Sequence, residues 1–198
     1  MKHFDRHPAP DFLLRNVDLW NRQWSASKTN NPGAVFQWYI HEGQRVNQKI
    51  GPILSLQTQD HCSYCDAFPM GLADNTIDHF CPKGNPAFYN LAYTWENLFW
   101  ACADCQKAKG EQFEDVLIRP DSPTYNFRHF FIYNFNTHEI DPNPNSTPED
   151  QLRAKATISI FKLREPSRVA ARRMAWERWY SPLAIRDLDD FPFRFIFE

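Results

Sequence analysis

Cys62 and Cys65 form one Cys-x-x-Cys pair, and Cys102 and Cys105 form a second, with residues 66 to 101 between them. Two thiolates from each of two tight turns can be brought to the corners of a tetrahedron, the geometry of a structural Zn²⁺. Four buried, reduced cysteines are the plainer alternative, because Cys is a common small core residue. A disulfide framework fits poorly: the fifth cysteine, Cys81, makes the count odd, and the opening run MKHFDRHPAP lacks the apolar core of a secretory signal. The expected compartment is the cytoplasm, where thiols stay reduced. Cys81 belongs to neither pair and reads as core packing.

A chain of 198 residues allows one domain. With 17 Phe, 7 Trp and 7 Tyr against 6 Gly, large rings must fill the core, which excludes wholesale disorder. The longest apolar run, Leu98 to Ala103, is far short of the about 18 residues that span a bilayer, so no membrane association is expected. A net charge of −2 argues against coating nucleic acid by bulk electrostatics and leaves room for a local basic patch.

The pattern along the chain predicts an α+β fold: a ββα core with its zinc site at 59–115, preceded by an arm and helices at 1–58 and followed by a β-hairpin and helical extension at 116–198. Residues 1–31, punctuated by Pro8 and Pro10, read as a wrapping arm with a short helix over Phe12 to Trp20. From Gly33 to Thr58, apolar residues at three- and four-residue steps predict an amphipathic helix that Gly51 and Pro52 break. Residues 61–113 suit a short strand, a proline-containing loop, a second strand and a short helix. Phe127 to Ile140 predicts a β-hairpin around an Asn-Thr turn. Thr147 before Pro148 predicts a helix start, and Ser167 is expected to cap a last helix.

Between the cysteine pairs stands Ile77-Asp78-His79-Phe80, whose alternation suits a strand with Asp78 and His79 facing opposite sides. An isolated Asp-His is usually a surface hydrogen bond. Here it is followed by Pro82-Lys83, then Trp95-Glu96-Asn97-Leu98, then Cys102-Ala103-Asp104-Cys105-Gln106-Lys107-Ala108-Lys109-Gly110. In that order these motifs resemble the zinc-bound HNH endonucleases of the ββα-metal type. The strings CSYC, DHFCPK, WENLFWACADCQKAKGEQF and RAKATISIFKL, with the Arg-rich helix after them, are similar to the PtuB family, the HNH nuclease subunit of Septu-type antiphage defence.

The resemblance implies cleavage of nucleic acid, DNA favoured and RNA possible, assisted by Mg²⁺ or Mn²⁺ beside the structural Zn²⁺ at Cys62, Cys65, Cys102 and Cys105. Asp78 would offer a hard carboxylate oxygen to the catalytic ion. His79 would take the proton of the attacking water. Asn97 would orient the His loop, its plainer role being an ordinary turn amide. Position 106 would supply the second protein ligand; the family has Asn there, and Gln106 keeps the amide with one more methylene. Lys83 and Lys109 read equally as phosphate contacts or solvated surface lysines. Arg168 and Arg172 share a helix face and read either as a phosphate-contacting stripe or as a solvated face paired with Glu165 and Glu177. The resemblance further implies an ABC- or SMC-like ATPase partner that controls the nuclease. A catalytically silent zinc module and a free-standing HNH nuclease are the competing readings.

Overall fold

The computed structural model describes residues 1–68, 75–182 and 187–198. Its centre is an antiparallel hairpin of β3 (Asn75–His79) and β4 (Leu98–Cys102), in register from Asn75 opposite Cys102 to His79 opposite Leu98. Helix α3 (Ala103–Lys109) follows β4 directly and packs on both strands. Gly110 ends it with φ +52°, a conformation that suits glycine, and its N–H donates to the Gln106 carbonyl at 2.8 Å. The ββα order expected for residues 61–113 is the order observed.

Strand alternation divides the hairpin's side chains between two cores. Phe99 faces a cluster with Tyr64, Phe80 and Phe161, whereas Leu98 faces a second cluster with Trp20, Trp24, Ile50 and Tyr93. Each such ring or branched side chain contributes about 1.5–3 kcal/mol on burial. The hairpin is thus clamped on both faces, which fixes its register, because a one-residue slip would exchange the two sets.

The N-terminal part differs from expectation. In place of an arm with a short helix stands α1 (Asp11–Asn30), which runs well past Trp20. Its buried stripe of Leu13, Trp20 and Trp24 follows helical spacing, but polar residues between them dilute the signal. The helix expected from Gly33 is also absent. Residues 33–39 have no regular structure, and Val35 and Ile40 are exposed. The two-residue strands β1 (Ile40–His41) and β2 (Gln44–Arg45) pair around Glu42-Gly43, both at positive φ as a tight hairpin turn requires. Then α2 (Val46–Gln57) continues through Gly51 and Pro52, where the sequence predicts a break. Gly51 presents no Cβ to clash with the proline ring, and its bare backbone lies against Trp100, where a Cβ would be 3.5 Å from the indole.

In the C-terminal part the chain makes one helical turn, α4 (Phe127–Phe130), before the hairpin of β5 (Phe131–Tyr133) and β6 (Ile140–Pro142). The Asn134 side chain closes its loop by accepting from the N–H groups of Asn136 and Thr137. Helix α5 (Pro148–Ile160) starts as expected, with Thr147 Oγ1 accepting from Asp150 N at 3.1 Å. Helix α6 (Pro166–Trp179) starts after Glu165, so Ser167 lies within its first turn and is not its cap. The last segment returns to the cysteine turn. Arg194 donates to both carboxylate oxygens of Asp66, and Phe193 N donates to the Asp66 carbonyl at 2.7 Å. Among the described residues no helix is long and apolar enough to cross a membrane.

Candidate active site

The Sγ atoms of Cys62, Cys65, Cys102 and Cys105 all lie within 4.8 Å of one another. A tetrahedron with Zn–S bonds of about 2.3 Å has edges of about 3.8 Å, and Cys65 and Cys102 are 3.7 Å apart. The four thiols therefore fit a closed Zn²⁺ site. Backbone and side-chain donors already serve the sulfurs: Cys102 N donates to Cys62 Sγ at 3.3 Å, and Arg168 Nη1 donates to Cys105 Sγ at 3.2 Å. Without a cation, burial pushes the Cys62 and Cys105 thiols well up, while hydrogen bonds from its neighbours hold Cys65 well down. A divalent ion would relieve that conflict by stabilising all four thiolates. Cys81 stands outside the cluster, half-buried against the core.

Asp78 and His79 face opposite sides of β3, as the alternation predicts. Tyr64 Oη donates to Asp78 Oδ2 at 2.8 Å, and Lys109 Nζ lies 3.3 Å from the same oxygen. Lys109, fully buried, also donates to the His79 carbonyl at 2.6 Å. Burial raises the Asp78 carboxyl above its ordinary range, with Lys109 and Tyr64 opposing the rise. Lys109 is thus no surface phosphate contact: its ammonium neutralises Asp78 inside the protein.

His79 sits in an aromatic enclosure on the other face. Trp38 stacks on the imidazole at 5.5 Å between ring centres, and Phe36 meets it edge-on at 5.2 Å. Its Nε2 is 2.9 Å from the Ala92 carbonyl, which fixes the tautomer with the proton on Nε2 and the lone pair on Nδ1. Burial, with the charges of Lys83 and Lys109 adding to it, lowers the imidazole to about 3. The ring is therefore neutral near pH 7. Phe36 and Trp38 belong to 33–39, the stretch expected to be helical, and nothing in its pattern marked it as a cover.

Asn97 ties the loop after His79 to the start of β4. Its Oδ1 accepts from Cys81 N at 2.7 Å, and its Nδ2 donates to the carbonyls of Cys81 and Leu91, each at 3.0 Å. Phe80 N donates to its carbonyl at 2.9 Å. That loop carries Lys83, whose ammonium lies 5.3 Å from the centre of the Phe36 ring at the edge of the His79 enclosure. Trp24 Nε1 donates to the Lys83 carbonyl at 3.0 Å and fixes the loop to α1.

Gln106, half-buried on α3, donates from Nε2 to the Ile77 carbonyl at 3.1 Å. Asp78 Oδ2 is committed to Lys109 and Tyr64, and the Gln106 amide is held against the strand through its Nε2. As they stand, these donors do not fit a second divalent cation. Among the described residues, the four cysteines are the one group of three or more His, Cys, Asp or Glu side chains placed to hold a metal.

The Arg168–Arg172 stripe also turns inward. Arg168 is bound to Cys105 Sγ, and Arg172 is buried with Nε donating to the His138 carbonyl at 2.8 Å. Burial lowers the Arg172 guanidinium to about 10. That face of α6 packs on the cysteine cluster and the β5–β6 hairpin.

Both cysteine pairs, the hairpin, the loop pinned by Asn97 and α3 lie in one continuous stretch. Residues 62–112 match the family model described as HNH endonuclease. No curated protein matches the chain. The matched segment coincides with the ββα unit and the four-cysteine cluster, so the part of the fold that can hold a Zn²⁺ is also the part that carries the family likeness. It implies a nucleic-acid substrate. Three neighbours of Asp78 and His79 have no role in the sequence reading: Tyr64, whose position between two cysteines is a usable signal, and Phe36 and Trp38, for which the sequence offers none as a cover.

Proposed function

We propose that the chain is a divalent-metal-dependent HNH endonuclease, and the observation that carries this reading is the match of residues 62–112, which hold the ββα unit and the cysteine cluster, to the HNH endonuclease family model. His79 is the general base. With Nε2–H held by the Ala92 carbonyl, Nδ1 is the atom that takes the proton of the attacking water. Asn97 positions the His79 loop, and Lys83, at the edge of the enclosure, meets the substrate phosphate. A catalytic Mg²⁺ or Mn²⁺ would supply charge neutralisation at the scissile phosphate. Asp78 and Gln106 are the proposed ligands only after Asp78 exchanges Lys109 for the ion and Gln106 releases the strand. The conformation described is in that case a closed one, and residues 33–39 must move off His79 before water and substrate reach it.

The second reading is a catalytically silent zinc module. The Asp78–Lys109 ion pair, the enclosed His79 and glutamine at position 106 all favour it. A free-standing HNH nuclease is the third. Likeness to PtuB supports a role as the nuclease effector of a Septu-type defence complex with an ABC- or SMC-like ATPase, which would control opening. Plasmid DNA and total RNA, incubated with Mg²⁺ or Mn²⁺ and with or without the product of the neighbouring gene, test these readings together. Metal-dependent cleavage supports the nuclease, and cleavage only with an ATPase partner supports the defence complex. No cleavage under any of these conditions leaves the silent module.

A further inference from the structure

Between α2 and the outer face of the β3–β4 hairpin lies an open cleft of about 840 Å³, whose lining includes Trp38, Asn47, Gln48, Asp60, Trp100 and Gln106. Its chemistry is specific. Two indoles, three primary amides and one carboxylate face it, and none of the described lining residues is Lys, Arg or His. A phosphate would meet Asp60 with no cation to balance it. A flat, uncharged group with several hydrogen-bonding edges would instead find aromatic surface and amides together.

Two further observations point the same way. Asn47 lines the cleft, and its Oδ1 is buried without a hydrogen-bond partner among the described residues, an unmet acceptor that a ligand's donor would serve once the amide turns toward the cleft. Gln59 and Asp60 are both left-handed, at φ 52° and 57°, which is costly for consecutive non-glycine residues and sets the Asp60 carboxylate at the cleft. Ser55 Oγ and Trp100 Nε1 donate to Asp60 Oδ1 at 2.9 and 3.2 Å, which holds the carboxylate in place. Its Oδ2 has no partner among the described residues.

We infer that this cleft is a nucleobase subsite that takes one unstacked base, with preference for a base bearing an exocyclic amine such as cytosine. Indole surface gives the base a stacking platform. Asp60 Oδ2 accepts from the amine, the pairing that carboxylates make with cytosine N4. Trp38 is shared between this cleft and the His79 enclosure, and Trp100, which lies on β4 outside the segment that must move off His79, is the indole that serves the base when substrate reaches His79. The inference rests on that reading for its place in the reaction, though not for its test.

Fluorescence anisotropy of labelled single-stranded oligonucleotides, without added divalent metal, tests it. Oligo-dC should bind at least about fivefold more tightly than an abasic oligomer of equal charge, the worth of one or two net hydrogen bonds, and more tightly than oligo-dT, which presents an acceptor where cytosine has its amine. Asn47→Leu removes an unpartnered buried oxygen and should keep or raise the melting temperature while it reduces the dC advantage. Asp60→Asn, which tolerates the left-handed backbone, should abolish the preference for dC over dT. Competition by free dCMP identifies the source: displacement at comparable concentration assigns the base to a free nucleotide, and none assigns it to a strand. Equal binding of dC and abasic oligomers by the wild type overturns the inference, as does a dC advantage that both folded variants retain. Base-dependent binding without cleavage would remove the nuclease reading and leave the subsite standing; cleavage without base dependence would do the reverse.

Discussion

Replacing His79 by Gln should flatten the acid limb of the stability curve. The imidazole titrates near 6.5 in the unfolded chain and near 3 inside its enclosure of Trp38 and Phe36. Because the folded value is depressed, the unfolded state binds the proton more tightly: the stabilisation is complete above pH 6.5 and is lost as pH falls toward 3. One proton changes stability by about 1.4 kcal/mol per pH unit, so between pH 6.5 and 4.5 the wild type should lose about 2–3 kcal/mol through this ring alone. That is a large share of the roughly 5–15 kcal/mol available to a domain. The carboxamide of the His79→Gln variant can still donate to the Ala92 carbonyl but has no proton to gain. Acid also attacks the cysteine cluster and the carboxylates, yet both proteins share those losses, so their difference isolates the ring. Urea denaturation at pH 7.0, 6.0, 5.0 and 4.5 reads it directly. A difference in unfolding free energy between wild type and His79→Gln that stays constant across this range would refute the enclosure of His79.

Elemental analysis of the folded, reduced protein should find about one Zn²⁺ per chain; Cys102→Ser should lose it and Cys81→Ser should keep it. Arg168→Gln removes the donor to Cys105 Sγ and should weaken zinc affinity by about 10–100-fold in competition with a chromophoric chelator, with the fold intact by circular dichroism. Lys109→Met strands the Asp78 carboxylate and should cost about 3–5 kcal/mol in denaturant unfolding, part of which Lys109→Met combined with Asp78→Asn should recover.

The HNH unit was legible because its signals are local. Cysteine spacing, the Asp-His alternation, Asn97 before a strand and the Lys-Gly helix end are each patterns of a few consecutive residues, although the partners they meet lie far away in sequence, as Asn97 meets Cys81 and Lys109 meets His79. What the sequence withheld was burial. Lys109, Arg168 and Arg172 look like surface cations in any linear reading, and only the fold shows that each answers a negative or polar group inside: Asp78, the Cys105 sulfur and the His138 carbonyl. The segment 33–39 failed for a related reason. Val35, Phe36, Tyr39 and Ile40 fall at helical spacing, but Phe36, Trp38 and Tyr39 reach His79 and Tyr93 across the chain, and tertiary contact overrode local periodicity. The helix α1 was underestimated because its buried face is carried by a few large residues separated by polar ones.

Proton abstraction by His79 in phosphodiester cleavage is the step on which the nuclease reading turns. Initial rates of plasmid nicking in Mn²⁺ for wild type and His79→Ala, with the neighbouring gene product present and zinc content checked as equal, test it most directly. The expected result is a fall of at least about 100-fold, the low end of general-base contributions. Equal rates from a folded, zinc-loaded His79→Ala protein would contradict it.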